Sequence, residues 1–145
     1  MKPGNVRPIA VCVIRKENAI FVFEGRDEEK DETFYRPLGG AIEFGEYSTK
    51  TVQREMREEI GAEICNIRYL GMLENVFRHE GEPGHEIVII YEADFANQAM
   101  YQKTAVTGYE DNGIPFEAGW KPLEYFRNAQ APLYPDGLLQ LLTET

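Results

Sequence analysis

The sequence predicts an α/β domain in which β-rich runs flank one strongly amphipathic helix. Val6–Ile14 and Ala19–Phe23 are rich in β-branched and aromatic residues, and the polar turn RKEN between them predicts a hairpin. Ser48–Ile60 carries apolar residues at helical spacing. After it, Ile64–Phe77 and Glu86–Phe95 predict two strands that pair antiparallel.

The helix has the clearest signals in the chain. Val52, Met56 and Ile60 recur every four residues and form one apolar side. Ser48 is a residue type that caps helix N-termini, and Gly61 favours a stop directly after Ile60. We therefore expect a helix that packs through this side and begins with a Ser48 cap.

The connecting segments are defined by charge, glycine and proline. Arg26–Thr33 predicts a solvated charged loop, and the stretch HEGEPGH at His79–His85 predicts a loop between the two later strands. Phe34–Phe44 contains Pro37 and the pair Gly39-Gly40, which excludes a helix. Short extended pieces with a tight turn are expected there.

The C-terminal third predicts shorter elements. Thr107–Asn112 and Phe116–Lys121 favour strands, Pro122–Asn128 a short helix, and Pro135–Leu142 a closing helix with a wide apolar side. The length of 145 residues suits one packed domain, so we expect residues 1–145 to form a single domain.

Composition argues against several classes of partner. The net charge is -10, and the 15 basic residues form no run that would follow a phosphate backbone, which argues against duplex nucleic acid. The N-terminal apolar run ends at Arg15, so neither a signal peptide nor a membrane span is predicted. Cys12 and Cys65 lack metal or disulfide spacing and are expected to be reduced core residues, which favours a cytoplasmic location.

Glutamates are concentrated on the predicted helix. Glu55, Glu58 and Glu59 lie at i, i+3 and i+4, so their carboxylates share one face. Two carboxylates about 6 Å apart repel by roughly 3 kcal/mol at an effective dielectric near 20. An ordinary solvated face would tolerate this, whereas a partly buried one calls for a hard divalent cation such as Mg²⁺ or Mn²⁺, with Glu43 and Glu46 available from the preceding loop.

The glutamates belong to a longer motif, G-x5-E-x7-R-E-U-x-E-E-x-G-U, in which U is apolar. Its slots are filled by Gly40, Glu46, Arg54, Glu55, Met56, Glu58, Glu59, Gly61 and Ala62. The sequence thereby resembles the Nudix hydrolase family. Two departures are Ala62, where a bulkier aliphatic residue is usual, and Leu38, which separates Pro37 from the glycine pair.

The resemblance implies a Nudix-type α/β/α sandwich around a mixed β-sheet, with the motif forming a loop, a helix and a loop that bind Mg²⁺ or Mn²⁺. It implies hydrolysis of a nucleoside diphosphate linked to another group. By position, Glu55, Glu58 and Glu59 would hold the metal, with the carbonyl of Gly39 as a further ligand.

The same resemblance suggests supporting roles for other motif residues. Arg54 would orient Glu58 or Glu59 through an ion pair, and Glu46 would fix the loop to the helix. The general base stays open: Glu58 is our first choice, and Glu110 and Glu117 are alternatives from a later loop.

Several residues outside the motif are candidates for substrate contacts. Arg36 and Arg26 have the bidentate guanidinium that binds phosphate, and Glu117 is included as a further contact. Some histidines and aromatic rings could contact phosphate or stack on a base, although turn and core positions are the preferred interpretation. They are His79, His85, Phe34, Tyr35 and Trp120.

The preferred hypothesis is a metal-dependent pyrophosphohydrolase that acts on a nucleoside triphosphate or a related nucleoside diphosphate derivative. The alternatives are a nucleotide-binding or regulatory module without turnover and a structural domain with an acidic helix. The resemblance also allows a homodimer. The expected partner is a small-molecule nucleotide.

Overall fold

The computed structural model describes residues 4–144. The elements follow one another along the chain with short connections and include one 3-10 helix at Gln98–Gln102. The strands are β1 (Arg7–Lys16), β2 (Ala19–Asp27), β3 (Glu32–Arg36), β4 (Leu38–Ala41), β5 (Ile64–His79), β6 (Glu82–Phe95), β7 (Ala105–Tyr109) and β8 (Pro115–Pro122). The helices are α1 (Ser48–Ile60), α2 (Leu123–Arg127) and α3 (Leu138–Thr143).

Within residues 4–144 the strands form an eight-stranded sheet in the order β5-β6-β1-β2-β8-β7, while β3 pairs with β2 and β4 with β1. The pairing of β1 with β6 is parallel, and the other ladders are antiparallel. The predicted mixed sheet is confirmed. β1 carries ladders to both β6 and β4, so the glycine-containing strand β4 lies beside β1 within the sheet.

Apolar residues fill both faces of this sheet. On one face, Val52 and Met56 of α1 are fully buried against β1 and β6. On the other face, Phe126 of α2 and Leu138 and Leu142 of α3 pack in a second cluster with alternate residues of the same strands. Helices on both faces of the sheet confirm the α/β/α sandwich.

The prediction of a loop over residues 79–85 is wrong. β5 continues to His79, β6 begins at Glu82, and a two-residue turn joins them. Glu80 has φ 51° and Gly81 φ 81°, so both central residues adopt the left-handed conformation that tight hairpin turns require. The strands therefore extend well past the charged residues that suggested a loop.

The expected loop at residues 26–33 is also shorter than predicted. β2 runs to Asp27 and β3 begins at Glu32, and these two residues face each other across the ladder. Asp27 is buried and accepts hydrogen bonds from the backbone N–H groups of Lys30 and Glu80. This carboxylate satisfies backbone N–H groups in two neighbouring turns, and β2 and β3 extend into the segment that was expected to be a charged loop.

Two side-chain expectations are corrected. The residue before α1 is Tyr47, which makes no side-chain cap, and Ser48 Oγ lies 2.6 Å from the hydroxyl of Tyr91. Cys12 is buried as expected, whereas Cys65 is exposed, because it follows the buried Ile64 in β5 and its side chain points to the opposite face.

In the C-terminal third, β7 lies at Ala105–Tyr109 and α3 begins only at Leu138, later than the expected Pro135. Within the described residues no helix is long and apolar enough to cross a membrane.

Candidate active site

The motif forms the end of β4, a turn and helix α1. Gly45 has φ 82°, a left-handed conformation that lets residues 42–47 reverse direction before the helix. Gly61, with φ 66°, ends α1 by donating its N–H to the carbonyl of Arg57. The buried side chains of Val52 and Met56 fix how the helix is rotated against the sheet. That rotation decides which glutamates are buried.

The three helical glutamates differ in exposure. Glu55 is 5% exposed, Glu59 is half-buried, and the side chain of Glu58 is 48% exposed. Glu55 lies directly over Gly40: a Cβ built on that glycine would be 2.6 Å from the Glu55 carboxyl carbon. The second glycine of the pair thus leaves room for a buried carboxylate.

Arg54 is the cation at the centre of the cluster. Its Nη1 donates to Glu55 Oε1 at 2.7 Å and to Glu58 Oε2 at 3.2 Å, and it lies 3.3 Å from Glu43 Oε1. Its described contacts include Glu58 but not Glu59, and the buried partner is Glu55. These acidic partners raise the pKa of the Arg54 guanidinium, led by its hydrogen bonds to Glu46.

Glu46 connects the turn to the helix. It accepts hydrogen bonds from Arg54 Nε at 2.8 Å, from Thr51 Oγ1 at 2.7 Å and from the backbone N–H of Glu43 at 3.2 Å. These donors, with Arg54 first, lower the pKa of Glu46 to about 2. The carboxylate is therefore ionised at neutral pH and supports the loop.

Glu59 is the least satisfied member of the cluster. Its Oε1 is buried without a hydrogen-bond partner among the described residues. Burial, followed by the charges of Glu55 and Asp111, raises the pKa of Glu59 to about 8, against a backbone hydrogen bond from Gly39 and the charge of Arg36. A carboxylate in this position is stabilised by a cation.

Asp111 completes the cluster, and sequence reasoning missed it. It lies in the turn between β7 and β8, and carboxylate oxygens of Glu55, Glu58 and Asp111 lie within 4.8 Å of one another. β7 approaches α1 closely because Gly108 has no side chain; a Cβ there would be 2.9 Å from the carbonyl oxygen of Glu59. The available signal was the acidic turn sequence EDNG, from which we selected Glu110 instead of its neighbour.

Of the two candidate arginines, Arg36 lies close enough to the cluster for its charge to act on Glu59. Its Nη2 is 3.7 Å from Glu86 Oε1, and a fifth of its side chain is exposed. Burial lowers the pKa of Arg36, and the charges of Glu86 and Glu59 oppose that effect. Arg26 is instead exposed and bonded to Asp31 beside it.

Glu117 lies on the other side of its sheet. Its neighbours Phe116 and Ala118 pack in the same cluster as α1, so the side chain between them points away from that helix. There it accepts a hydrogen bond from Thr107 Oγ1 at 2.6 Å. The structure does not bring Glu117 together with the helical glutamates.

The remaining histidines and aromatic residues have structural contacts. His79 Nδ1 lies 3.6 Å from Asp27 Oδ2, and His85 Nε2 lies 4.0 Å from Glu74 Oε2. The rings of the other three pack on neighbouring aromatic rings: Phe34 on Phe23 and His79, Tyr35 on Tyr125 and Phe126, and Trp120 on Phe21 and Tyr101.

The carboxylate cluster does not coincide with either of two cavities found among the described residues. One, of about 320 Å³, lies beside α2 and α3 and includes Leu139 and Glu32. Another, of about 200 Å³, includes Glu117 and Lys121. Neither cavity contains the helical glutamates. We place the candidate site at the cluster, because binding of a divalent metal requires carboxylate ligands.

The residues present fit a hard divalent cation. Oxygen donors converge from α1 and from the β7–β8 turn, and Glu59 has a buried oxygen that no hydrogen bond satisfies among the described residues. Carboxylate oxygens are the ligands that Mg²⁺ and Mn²⁺ prefer, and a cation offsets their repulsion. Arg54 neutralises only part of this charge, because Glu59 is outside its contacts.

Residues 5–136 match the NUDIX domain family. Among curated relatives, the NAD-capped RNA hydrolase NudC of Vibrio vulnificus is 33% identical over 64 residues, which is 44% of this chain and 24% of the relative. The chain thus spans about a quarter of the length of the curated relative that it matches.

Solved structures share the fold. The E. coli ORF135 protein superposes with a TM-score of 0.68 at 19% identity, covering 97% of this chain and 90% of that one. The MutT NUDIX hydrolase of Burkholderia pseudomallei gives 0.61 at 21% identity, covering 83% and 85%. Since the family match extends over most of the sequence and the sandwich agrees with it, the chain belongs to the Nudix hydrolase family.

Proposed function

We propose that the protein hydrolyses a phosphoanhydride bond in a nucleoside triphosphate or another nucleoside diphosphate derivative, with Mg²⁺ or Mn²⁺ as cofactor. The observation that supports this most is the convergence of Glu55, Glu58 and Asp111 beside the unsatisfied carboxylate of Glu59. Three carboxylates converge there, and the charges of two of them, Glu55 and Asp111, act on Glu59. A divalent cation would offset part of this negative charge and would also bind the diphosphate of a substrate.

The residues of the cluster would have different roles in this reaction. Glu55, Glu58, Glu59 and Asp111 would hold the metal, with the Gly39 backbone beside Glu59 as a further ligand. When bound, such a metal neutralises phosphate charge and lowers the pKa of a coordinated water. Glu55 accepts a hydrogen bond from Arg54 Nη1 at 2.7 Å, which holds its carboxylate near Glu58 and Asp111.

Proton removal from the attacking water needs an accessible carboxylate. We assign Glu58 as the general base, because it is the most exposed of the three helical glutamates and Arg54 orients it at 3.2 Å. Glu110 remains the alternative, since it belongs to the turn that carries Asp111. The Glu110→Gln variant tests this alternative: a large fall in kcat with little change in KM would make Glu110 the base.

Arg36 is our candidate for a phosphate contact. Its guanidinium is partly exposed, it lies close enough to Glu59 for their charges to interact, and Glu86 holds it from the buried side. Replacement by glutamine is expected to raise KM by about tenfold, the scale of one charge-assisted hydrogen bond. An unchanged KM would remove Arg36 from the proposed site.

The central experiment is a Mg²⁺-dependent assay of phosphate or pyrophosphate release over nucleoside triphosphates, oxidised nucleotides, nucleotide sugars and dinucleotides. Glu59→Gln is expected to lower turnover by orders of magnitude. Glu63→Gln is the matched control, because that exposed residue pairs with Arg57 just beyond the helix. Full activity in Glu59→Gln would refute the assigned roles.

A dinucleotide pyrophosphate is the second candidate substrate. The observation that favours it is the similarity to a relative named as an NAD-capped RNA hydrolase. NAD and a short NAD-capped RNA therefore belong in the panel. The net charge of -10 disfavours extensive contact with an RNA body, so we expect activity on NAD to match or exceed activity on the capped RNA if this class is the substrate. Calorimetric binding of nucleotides without turnover of any member would favour a binding module.

A further inference from the structure

Strand β5 forms an open edge of the sheet. Within the described residues the strand order ends at β5, so one side of this strand has no partner. Its register with β6 is irregular near Cys65 and Tyr69 but continuous from Gly71 to His79. Irregularities protect an edge, whereas a long regular stretch presents free backbone N–H and C=O groups to another strand. Gly71–His79 is such a stretch.

Apolar side chains are exposed along the same strand. Val76 is 67% exposed and Met72 59%. Met72 faces the α1 side of the sheet, because its partner Ile89 packs against the α1 cluster, and Val76 follows at an even spacing on that side. Glu74 lies between Met72 and Val76 along the strand, Arg78 follows Val76, and both charged side chains are exposed.

The charges make this edge complementary to itself. In an antiparallel pair related by a two-fold axis normal to the sheet, with Val76 on the axis, Glu74 of each copy faces Arg78 of the other. An axis at residue 74 or 78 would instead place like charges opposite each other, and an axis at residue 77 would oppose Glu74 to Glu80. With the axis at residue 75, Glu74 faces Val76 and gains no ion pair.

We propose that the protein forms a two-fold symmetric dimer through antiparallel pairing of Leu73–His79 with the same segment of a second copy. Val76 packs on Val76 at the axis, two Glu74 to Arg78 pairs flank it, and the sheet continues across both copies. A second copy fits better than an unrelated strand because a single register places Val76 opposite Val76 and Glu74 opposite Arg78. The dimer is independent of the proposed hydrolase activity.

Intrachain contacts leave the two charges available. Glu74 has a described contact only with His85, at 4.0 Å, and its side chain is 75% exposed. Arg78 uses Nη1 to donate to the carbonyl of Gly81, which leaves its other N–H groups for a partner. Both side chains can therefore reach across the edge without giving up a buried interaction.

The test is sedimentation equilibrium of the full chain over a concentration series, without substrate. We expect a dimer with Kd in the range of about 1–100 µM, as suits a small strand-edge interface. Glu74→Arg and Arg78→Glu should each weaken it by about tenfold or more, because each single change creates two like-charge pairs. The double variant should return Kd to within about threefold of the original.

Control variants separate this register from association through another surface. Val76→Lys should abolish the dimer, whereas Glu124→Arg on α2 should leave Kd unchanged, because that exposed residue lies outside the edge. Thermal melts of every variant check that the monomer is folded. A wild-type chain that remains monomeric at about 1 mM, or a double variant that dimerises no better than the single ones, overturns the proposal. Neither result bears on the proposed hydrolase activity, which is tested by its own assay.

Discussion

Replacing Gly40 with alanine tests how tightly the site is built. Gly40 lies in β4 opposite Ala10 and is not among the glycines with positive φ, so alanine fits the backbone there. The obstacle is Glu55: the new Cβ would lie 2.6 Å from its carboxyl carbon and 2.7 and 2.8 Å from its two oxygens. The substitution therefore acts on the carboxylate without changing its charge.

The expected size of the effect follows from the contact distance. Ordinary contacts of a Cβ begin at about 3.4 Å, so the Glu55 carboxyl must move by about 0.8 Å from its position at 2.6 Å. Glu55 is buried and bonded to Arg54 at 2.7 Å, which leaves it little room to adapt. A displacement of about 1 Å can cost about 10²-fold in rate.

We expect Gly40→Ala to lower kcat/KM by about 10²-fold and to weaken Mn²⁺ binding by about tenfold, measured by calorimetry on the same protein. Gly71→Ala is the control, because its Cβ would meet Leu141 at an ordinary 3.4 Å. A Gly40→Ala enzyme that is folded, and that retains both metal affinity and activity within twofold, would refute the argument that this glycine makes room for a metal ligand.

Further predictions concern acid stability and metal binding. The pKa of Glu46 is lowered in the folded state to about 2 from 4.5, so its contribution to the free energy of unfolding is complete above pH 4.5 and is lost as pH falls towards 2. Thermal melts should show a smaller acid-induced loss of stability in Glu46→Gln than in the wild type, because Asp27, whose pKa is also lowered, still contributes in both. Asp111→Asn should weaken Mn²⁺ binding by about tenfold, and Glu110→Gln should not; equal effects would place the ligand elsewhere. Adding Mn²⁺ should raise the melting temperature and EDTA should reverse it, whereas Glu59→Gln should remove most of the gain.

Local patterns accounted for much of the fold. The hairpin of β1 and β2 and helix α1 follow from short-range spacing of apolar residues and from glycine positions, and both were predicted near their observed bounds. The turn at Glu80 and Gly81 was not, because a non-glycine residue with φ 51° has no distinctive sequence mark. Asp27 likewise looks like one more charge in an acidic loop until the backbone N–H of Glu80, far along the chain, bonds to it.

For the candidate site, the sequence by itself determined which residues belong to the motif and that carboxylates four positions apart on a helix would lie close together. Only the tertiary structure decided how they differ: Val52 and Met56 rotate α1 so that Glu55 is buried over Gly40 while Glu58 faces solvent. No pattern within the motif predicts Asp111, since its position beside Glu55 depends on β7 lying against α1. Helical spacing is local, whereas burial and the approach of a distant turn depend on how the sheet is assembled.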